Sequence, residues 1–349
     1  MRSVPMKHGL RGNDLIGRPL DRVEVSELAA DATAHPPPIG DGAQVTRRLV
    51  MVPGRALNPG DAAALRREWL EALTHGLSQS GLHLPVPANE VCFPDYVDGN
   101  RGLPSHPPAE RVTELLREES LADDGLASFL EHVLEAVVDH FGVTDEQTDE
   151  EAENAAREGE RLSSSTTNRL LGWEHVIGRL RAMDGVMPEA RGTTIGLSIR
   201  DFYWYLHDPQ LRSEMNDAVA AAMPRDAEIV VVAHSLGALV AYDCLRSVGA
   251  ERGWSVPLLV TLGAPLGLRE VRRRLQPPVE HPRCVHRWLN AFDSRDVIAI
   301  HPLGGPHFRD PRIENYAEVA NVTENRHQAD GYLRDPQVAR RIHDALVGD

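Results

Sequence analysis

Cysteine is scarce. The chain carries three, Cys92, Cys244 and Cys284, far apart in sequence. They form neither a CxxC metal pattern nor a disulfide framework, so a reducing, cytoplasmic compartment is expected. Lysine is nearly missing: Lys7 stands alone among 37 basic residues, a usage that fits the coding bias of a GC-rich bacterial genome. No apolar run approaches the roughly 18 residues needed to cross a bilayer, and no apolar stretch follows Met1–Lys7, so neither a membrane span nor a secretory signal is expected. HExxH, GxxxxGK[ST] and a GxGxxG at a strand end are all missing. The 16 histidines are scattered without ligand spacing, so no metal and no cofactor is expected. Positive charge is outweighed, 52 acidic against 37 basic residues for a net charge of −15, which argues against a nucleic-acid partner. The one basic stripe, Arg269 to Arg274 (REVRRR), reads as a solvated helix face.

What is present is material for a large core. The chain has 349 residues, 42% of them hydrophobic, and a mean hydropathy of −0.33. Runs such as Ile229-Val230-Val231-Val232 exclude wholesale disorder. Residues 1–45, with His35-Pro36-Pro37-Pro38 and Gly40-Asp41-Gly42, read as a partly disordered arm. Residues 46–349 read as one domain. Leu49–Val52 is the first strand signal, closed by Pro53-Gly54. Asp61 can cap a helix from Ala62 to about Gln79, with Leu65, Trp69, Leu73 and Leu77 at spacing four. Glu90–Phe93 is a short strand candidate closed by Pro94.

Residues 98–200 differ in character. Helical segments around 110–118 and 121–141 precede a stretch, 145–160, with eight acidic residues and one basic one. Ser163-Ser164-Ser165-Thr166-Thr167 follows. This reads as a solvated or mobile part of an insertion above a sheet; under the alternative reading of a module acting on a protein partner, it would be the docking surface. The aromatics of Ile199–Leu206 read as core. From residue 201 strands and helices alternate. Helices are expected at 211–223, 236–248 and from Pro336 to about Val347, the last capped by Asp335. Strands are expected at 228–233, 258–262, 285–289 and, more weakly, 319–322. The pattern predicts an α/β fold: a mostly parallel sheet with helices on both faces.

The sharpest signal is Val230-Val231-Val232-Ala233-His234-Ser235-Leu236-Gly237-Ala238. A buried strand runs into a serine and a helix starts at once, the setting of a nucleophile elbow. The positions two before and two after the serine must be small, because strand and helix approach closely there; Ala233 and Gly237 meet that need. The competing reading is a plain N-cap serine. With its AHSLG motif the chain resembles the α/β-hydrolase superfamily, in its lipase-like and esterase-like branch, over about residues 48–97 and 201–347. Val260-Thr261-Leu262-Gly263-Ala264-Pro265 resembles the strand and turn that follow the elbow helix in those enzymes.

The resemblance implies a triad in the order Ser, acid, His. It points to Asp296 as the acid, after the Trp288-Leu289-Asn290 strand, with Asp293 as the alternative. It points to His327 as the base, on the loop before the last helix; His301, His307 and His343 compete less well by position. It implies an oxyanion hole from the amide of Leu236 and from the loop at Gly54 and Arg55, where Pro53 stands in place of the usual histidine. The expected activity is hydrolysis of a carboxylic ester, thioester or amide in a small or acylated substrate, through an acyl-enzyme on Ser235. The alternatives are a protein-directed hydrolase or peptidase, an acyltransferase effector module, and a catalytically silent binding protein on the same fold.

Overall fold

Five runs rich in branched and aromatic residues form parallel strands: β1 (Arg47–Val52), β2 (Glu228–His234), β3 (Val256–Leu262), β4 (Val285–Ala291) and β5 (Ile313–Tyr316). They lie side by side in chain order. Register aligns their carboxyl ends, with Val52 opposite Ala233, His234 opposite Leu262, Leu262 opposite Ala291, and Ala291 opposite Tyr316. The computed structural model describes residues 47–54, 62–98, 111–160, 170–186, 192–275, 279–304, 308, 310–323 and 326–348. All of these belong to one unit, Val45–Asp349. The expected arm at 1–45, Asp61, the Ser163–Thr167 run, His307 and Arg55 lie outside the described residues.

Successive strand side chains point to opposite faces, and the two faces build two cores. Leu49, Met51, Val230, Val232, Leu258 and Val260 pack with Trp69, Leu73 and Leu77 of α1 (Ala62–Ser78). Val338 and Ile342 of α11 (Pro336–Val347) complete that layer. Val50, Val52, Val231, Ala233 and Leu259 face the other way, toward α8 (Leu236–Val248). Sealing each such side chain from water contributes about 1.5–3 kcal/mol. The Asp335 side chain accepts from the amides of Gln337 and Val338 and caps α11 as expected.

The helical region consists of α2 (Val112–Ala122), α3 (Asp124–Phe141), α4 (Asp145–Glu160), α5 (Leu170–Val186) and α6 (Gly192–His207); α7 (Pro209–Ala222) follows, and the short α9 (Arg269–Arg274) comes after β3. Its apolar core is continuous with the α8 side of the sheet. In α3 the buried residues Leu126, Leu130, Val133, Leu134, Val137 and Val138 recur at helical spacing. Asp123 caps its first turn, and Gly142 ends it in the left-handed region at φ 68°. Phe202 and Tyr205 of α6 are core residues, as expected. That helix runs through residue 200, so the helical region reaches His207.

Three expectations need correction. The acidic stretch 145–160 is the helix α4, docked on α5. A Cβ at Gly178 would sit 2.5 Å from Thr148 O and 2.9 Å from the Ala152 Cβ, so a bare glycine lets the two helices touch. Thr148 and Ala152 are a narrow inward stripe that the surrounding carboxylates hide from a charge count. The Glu90–Phe93 segment contributes a single bridge, Cys92 to Val50, because short helical turns lie on both sides of it. The fifth strand is Ile313–Tyr316, not 319–322. Val322 is 79% exposed while Val319 is buried, and there only Glu318 makes a sheet-like contact, opposite Asp293.

Candidate active site

The carboxyl edge of the sheet gathers the groups that could do chemistry, as parallel sheets do. Ser235 joins β2 to α8 with φ 54° and ψ −126°. It is one of only two non-glycine residues with positive φ among the described residues. A conformation that L side chains rarely adopt is held because both sides of the turn are tightly packed. A Cβ at Gly237 would lie 2.2 Å from Val52 O and 2.3 Å from Pro53 O; a Cβ at Gly54 would lie 3.3 Å from the Ser235 Cβ. The first turn of α8 therefore rests directly on the end of β1. The Ser235 side chain makes no capping hydrogen bond to the helix, which removes the reading of this hydroxyl as a helix cap.

Its hydroxyl meets the imidazole of His327 instead, at 2.9 Å from Oγ to Nε2. His327 Nδ1 lies 2.8 Å from Asp296 Oδ2 and 3.0 Å from Oδ1. A carboxylate can only accept, so Nδ1 carries the proton and Nε2 is left to accept from Ser235. Asp296 is fully buried. Its Oδ1 accepts from the Ile298 amide at 2.8 Å, and its Oδ2 accepts from the Tyr332 hydroxyl. Burial alone would raise the Asp296 carboxyl; the imidazole, the tyrosine hydroxyl and the amide outweigh it and hold the group below the usual carboxylate value.

Asp293, the alternative acid, serves the backbone. Its carboxylate accepts from the Arg295 amide at 2.8 Å and guanidinium, and from the Asn321 amide at 2.7 Å. It thus ties the turn after β4 to the loop that carries His327. Asn321, fully buried, continues that brace: its Nδ2 donates to Gln328 O at 2.9 Å, and its Oδ1 accepts from the Thr323 amide.

His234 braces the base from the other side. Its Nε2 donates to the backbone carbonyl of His327, and the two rings lie 4.8 Å apart. Burial first, then the neighbouring imidazole, push the His234 ring down to about 3, so it is neutral and acts as a fixed donor. Gly263, at φ 53°, leaves room for the pair: a Cβ there would come within 2.8 Å of Asp296 Oδ2 and 3.2 Å of His327 Nδ1.

For the expected oxyanion hole, the amide of Leu236 opens α8, where no carbonyl one turn earlier in the helix is available to it. Gly54 lies beside it: a Cβ on Gly54 would be 3.5 Å from Leu236 N. Tyr96 donates to Pro53 O at 2.7 Å and fixes that peptide. Among the described residues no cluster of three or more His, Cys, Asp or Glu has metal-binding geometry.

Sequence reasoning brought Ser235, His327 and Asp296 to one place but missed Tyr332, Asn321 and Tyr96. Tyr332 and Tyr96 act through side-chain hydrogen bonds across large sequence separations, and Asn321 reaches Asp293 through its backbone amide, so nothing local marks them. His234 and Gly263 were quoted only as parts of motifs. Compared with protein-family models, curated proteins and solved structures, the chain gives no match to any of them.

Proposed function

We propose that the chain is a serine hydrolase of the α/β-hydrolase superfamily that cleaves a carboxylic ester, thioester or amide. The observation that carries this reading is the unbroken chain of hydrogen bonds from Ser235 Oγ through His327 to Asp296, with the serine held at positive φ. A capping or core serine needs none of it.

The steps follow from the donors and acceptors. His327 Nε2 takes the Ser235 proton as Oγ attacks the substrate carbonyl carbon. The carbonyl oxygen becomes an oxyanion beside the amide of Leu236, at the positive end of the α8 dipole. Asp296 stabilises the imidazolium and keeps the ring in the reactive tautomer. The imidazolium then protonates the leaving group, whose bond to the carbonyl carbon breaks to leave an acyl-serine. Water, deprotonated by the same imidazole, releases the acid and restores Ser235. Lipase-like and esterase-like substrates are the first to screen.

The test is covalent labelling with a fluorophosphonate, which reacts with activated serines. Wild type should label, and Ser235→Ala and His327→Ala should lose the label while keeping the wild-type far-ultraviolet circular dichroism. A folded wild-type protein that does not label would overturn the proposal in favour of a binding protein on this fold.

A further inference from the structure

Resting on the serine-hydrolase reading, we propose that Tyr332 is a positioning residue of the triad, its hydroxyl donating to Asp296 Oδ2 and setting how strongly that carboxylate holds His327. The direction of its proton is forced. The Asp293 amide donates to the Tyr332 oxygen at 3.2 Å, so the hydroxyl's own hydrogen is left for Asp296 Oδ2. The oxygen it meets is the one that sits closer to His327 Nδ1. Tyrosine and imidazole therefore share one acceptor atom.

The ring has no freedom to leave. Tyr332 is fully buried in α10 (Ala329–Leu333), in the α1 and α11 layer. The preceding Gly331 backbone lies against Asn321, close enough that a Cβ there would overlap the Asn321 side chain. Among the described residues, two other titratable groups face the pair. His234, from β2, lies against both His327 and Tyr332 and is held neutral. Asp293, in the turn after β4, is engaged with Arg295. Among the described residues, the tyrosine hydroxyl is thus the one side-chain donor in contact with Asp296 besides His327.

The sign of its effect follows. A hydroxyl donating to Oδ2 draws negative charge from the carboxylate and weakens its pull on the imidazolium. In Tyr332→Phe that charge returns to Asp296, the imidazolium is held more tightly, and the ring is less well oriented.

The experiment is the pH dependence of fluorophosphonate labelling, with the far-downfield proton resonance of His327 Nδ1 recorded alongside. In Tyr332→Phe the optimal labelling rate should fall about tenfold, the size of one oriented hydrogen bond, and the acid limb should move up by about 0.5–1 pH unit. Replacing Tyr332 by a fluorinated tyrosine keeps the shape and strengthens the donor, so the limb should move down with folding intact. That variant decides the matter if the phenylalanine variant does not fold. A residue that only fills space would lower the rate without moving the limb. Unmoved limbs, or an unchanged Nδ1 resonance in both variants, would overturn the proposal. If wild type does not label at all, the hydrolase reading fails, and the resonance still reports the coupling independently.

Discussion

Asp293 and Asp296 stand three residues apart, and their partners give them different work. Asp296 holds an imidazole; Asp293 holds backbone and a guanidinium. Asp296→Asn should therefore leave the fold in place and cut the labelling rate by about 10⁴-fold, because the amide favours the wrong tautomer. Asp293→Asn should instead lower the melting temperature first. His234 offers a pH signature. Its ordinary value of 6.5 falls to about 3 in the folded protein, so between those values the unfolded chain binds the extra proton. This part of the stability is present above about pH 6.5 and is lost as pH falls toward 3, by at most about 1.4 kcal/mol per unit. His234→Gln keeps a donor for His327 O, and urea titrations across that window should show a flatter pH dependence than in wild type.

At the scale of elements, the geometry around Ser235 depends on how closely β1 and α8 approach. Gly237 has no side chain because two backbone carbonyls occupy the space. Backbone cannot turn aside as a flexible side chain can, so Gly237→Ala must lift the first turn of α8 from the sheet. The expected cost is about 3 kcal/mol, read as a lower melting temperature, together with loss of labelling as Ser235 leaves its strained position. The same reasoning explains the position of Gly263 against Asp296 and His327. The strands impose the rest: because all five run parallel and end in register, the loops after β2, β4 and β5 converge on one edge.

For the whole molecule, the apolar join between the helical layers and the sheet holds a buried polar cluster on α8. Asp243 of α8 is buried and accepts from Arg212 Nε and Nη2 at 2.7 Å each, from Tyr205 at 3.0 Å and from Asn216 at 3.1 Å. Burial would raise the Asp243 carboxyl; Arg212 and the other donors more than offset it and hold it below its ordinary value. The cluster ties α6 and α7 to the helix that begins at Ser235. Asp243→Asn leaves a half-buried guanidinium without its counter-charge, and urea unfolding should show a loss of about 2–3 kcal/mol, discounted because Arg212 is partly exposed to water.

The sequence by itself determined what depends on neighbours along the chain. Alternating branched runs and helical stripes set the α/β class, Asp335 set the start of the last helix, and Ala233-His234-Ser235-Leu236-Gly237 set the strand-to-helix turn that carries Ser235. What lay beyond it were pairings across long separations. The choice of Ile313–Tyr316 as the last strand rests on its register with Trp288–Ala291, whereas Val319 and Val322 carry a β-branched signal but form the loop to His327. Helix α4 is solvated on its carboxylate face, as its charge implied, but those carboxylates mask the two small residues that fit beside Gly178. The separate duties of Asp293 and Asp296, and the place of Tyr332 beside them, depend on which carboxylate the folded chain brings to His327. Local propensity acts over a few residues, but a hydrogen-bonded site is closed by groups that only packing brings together.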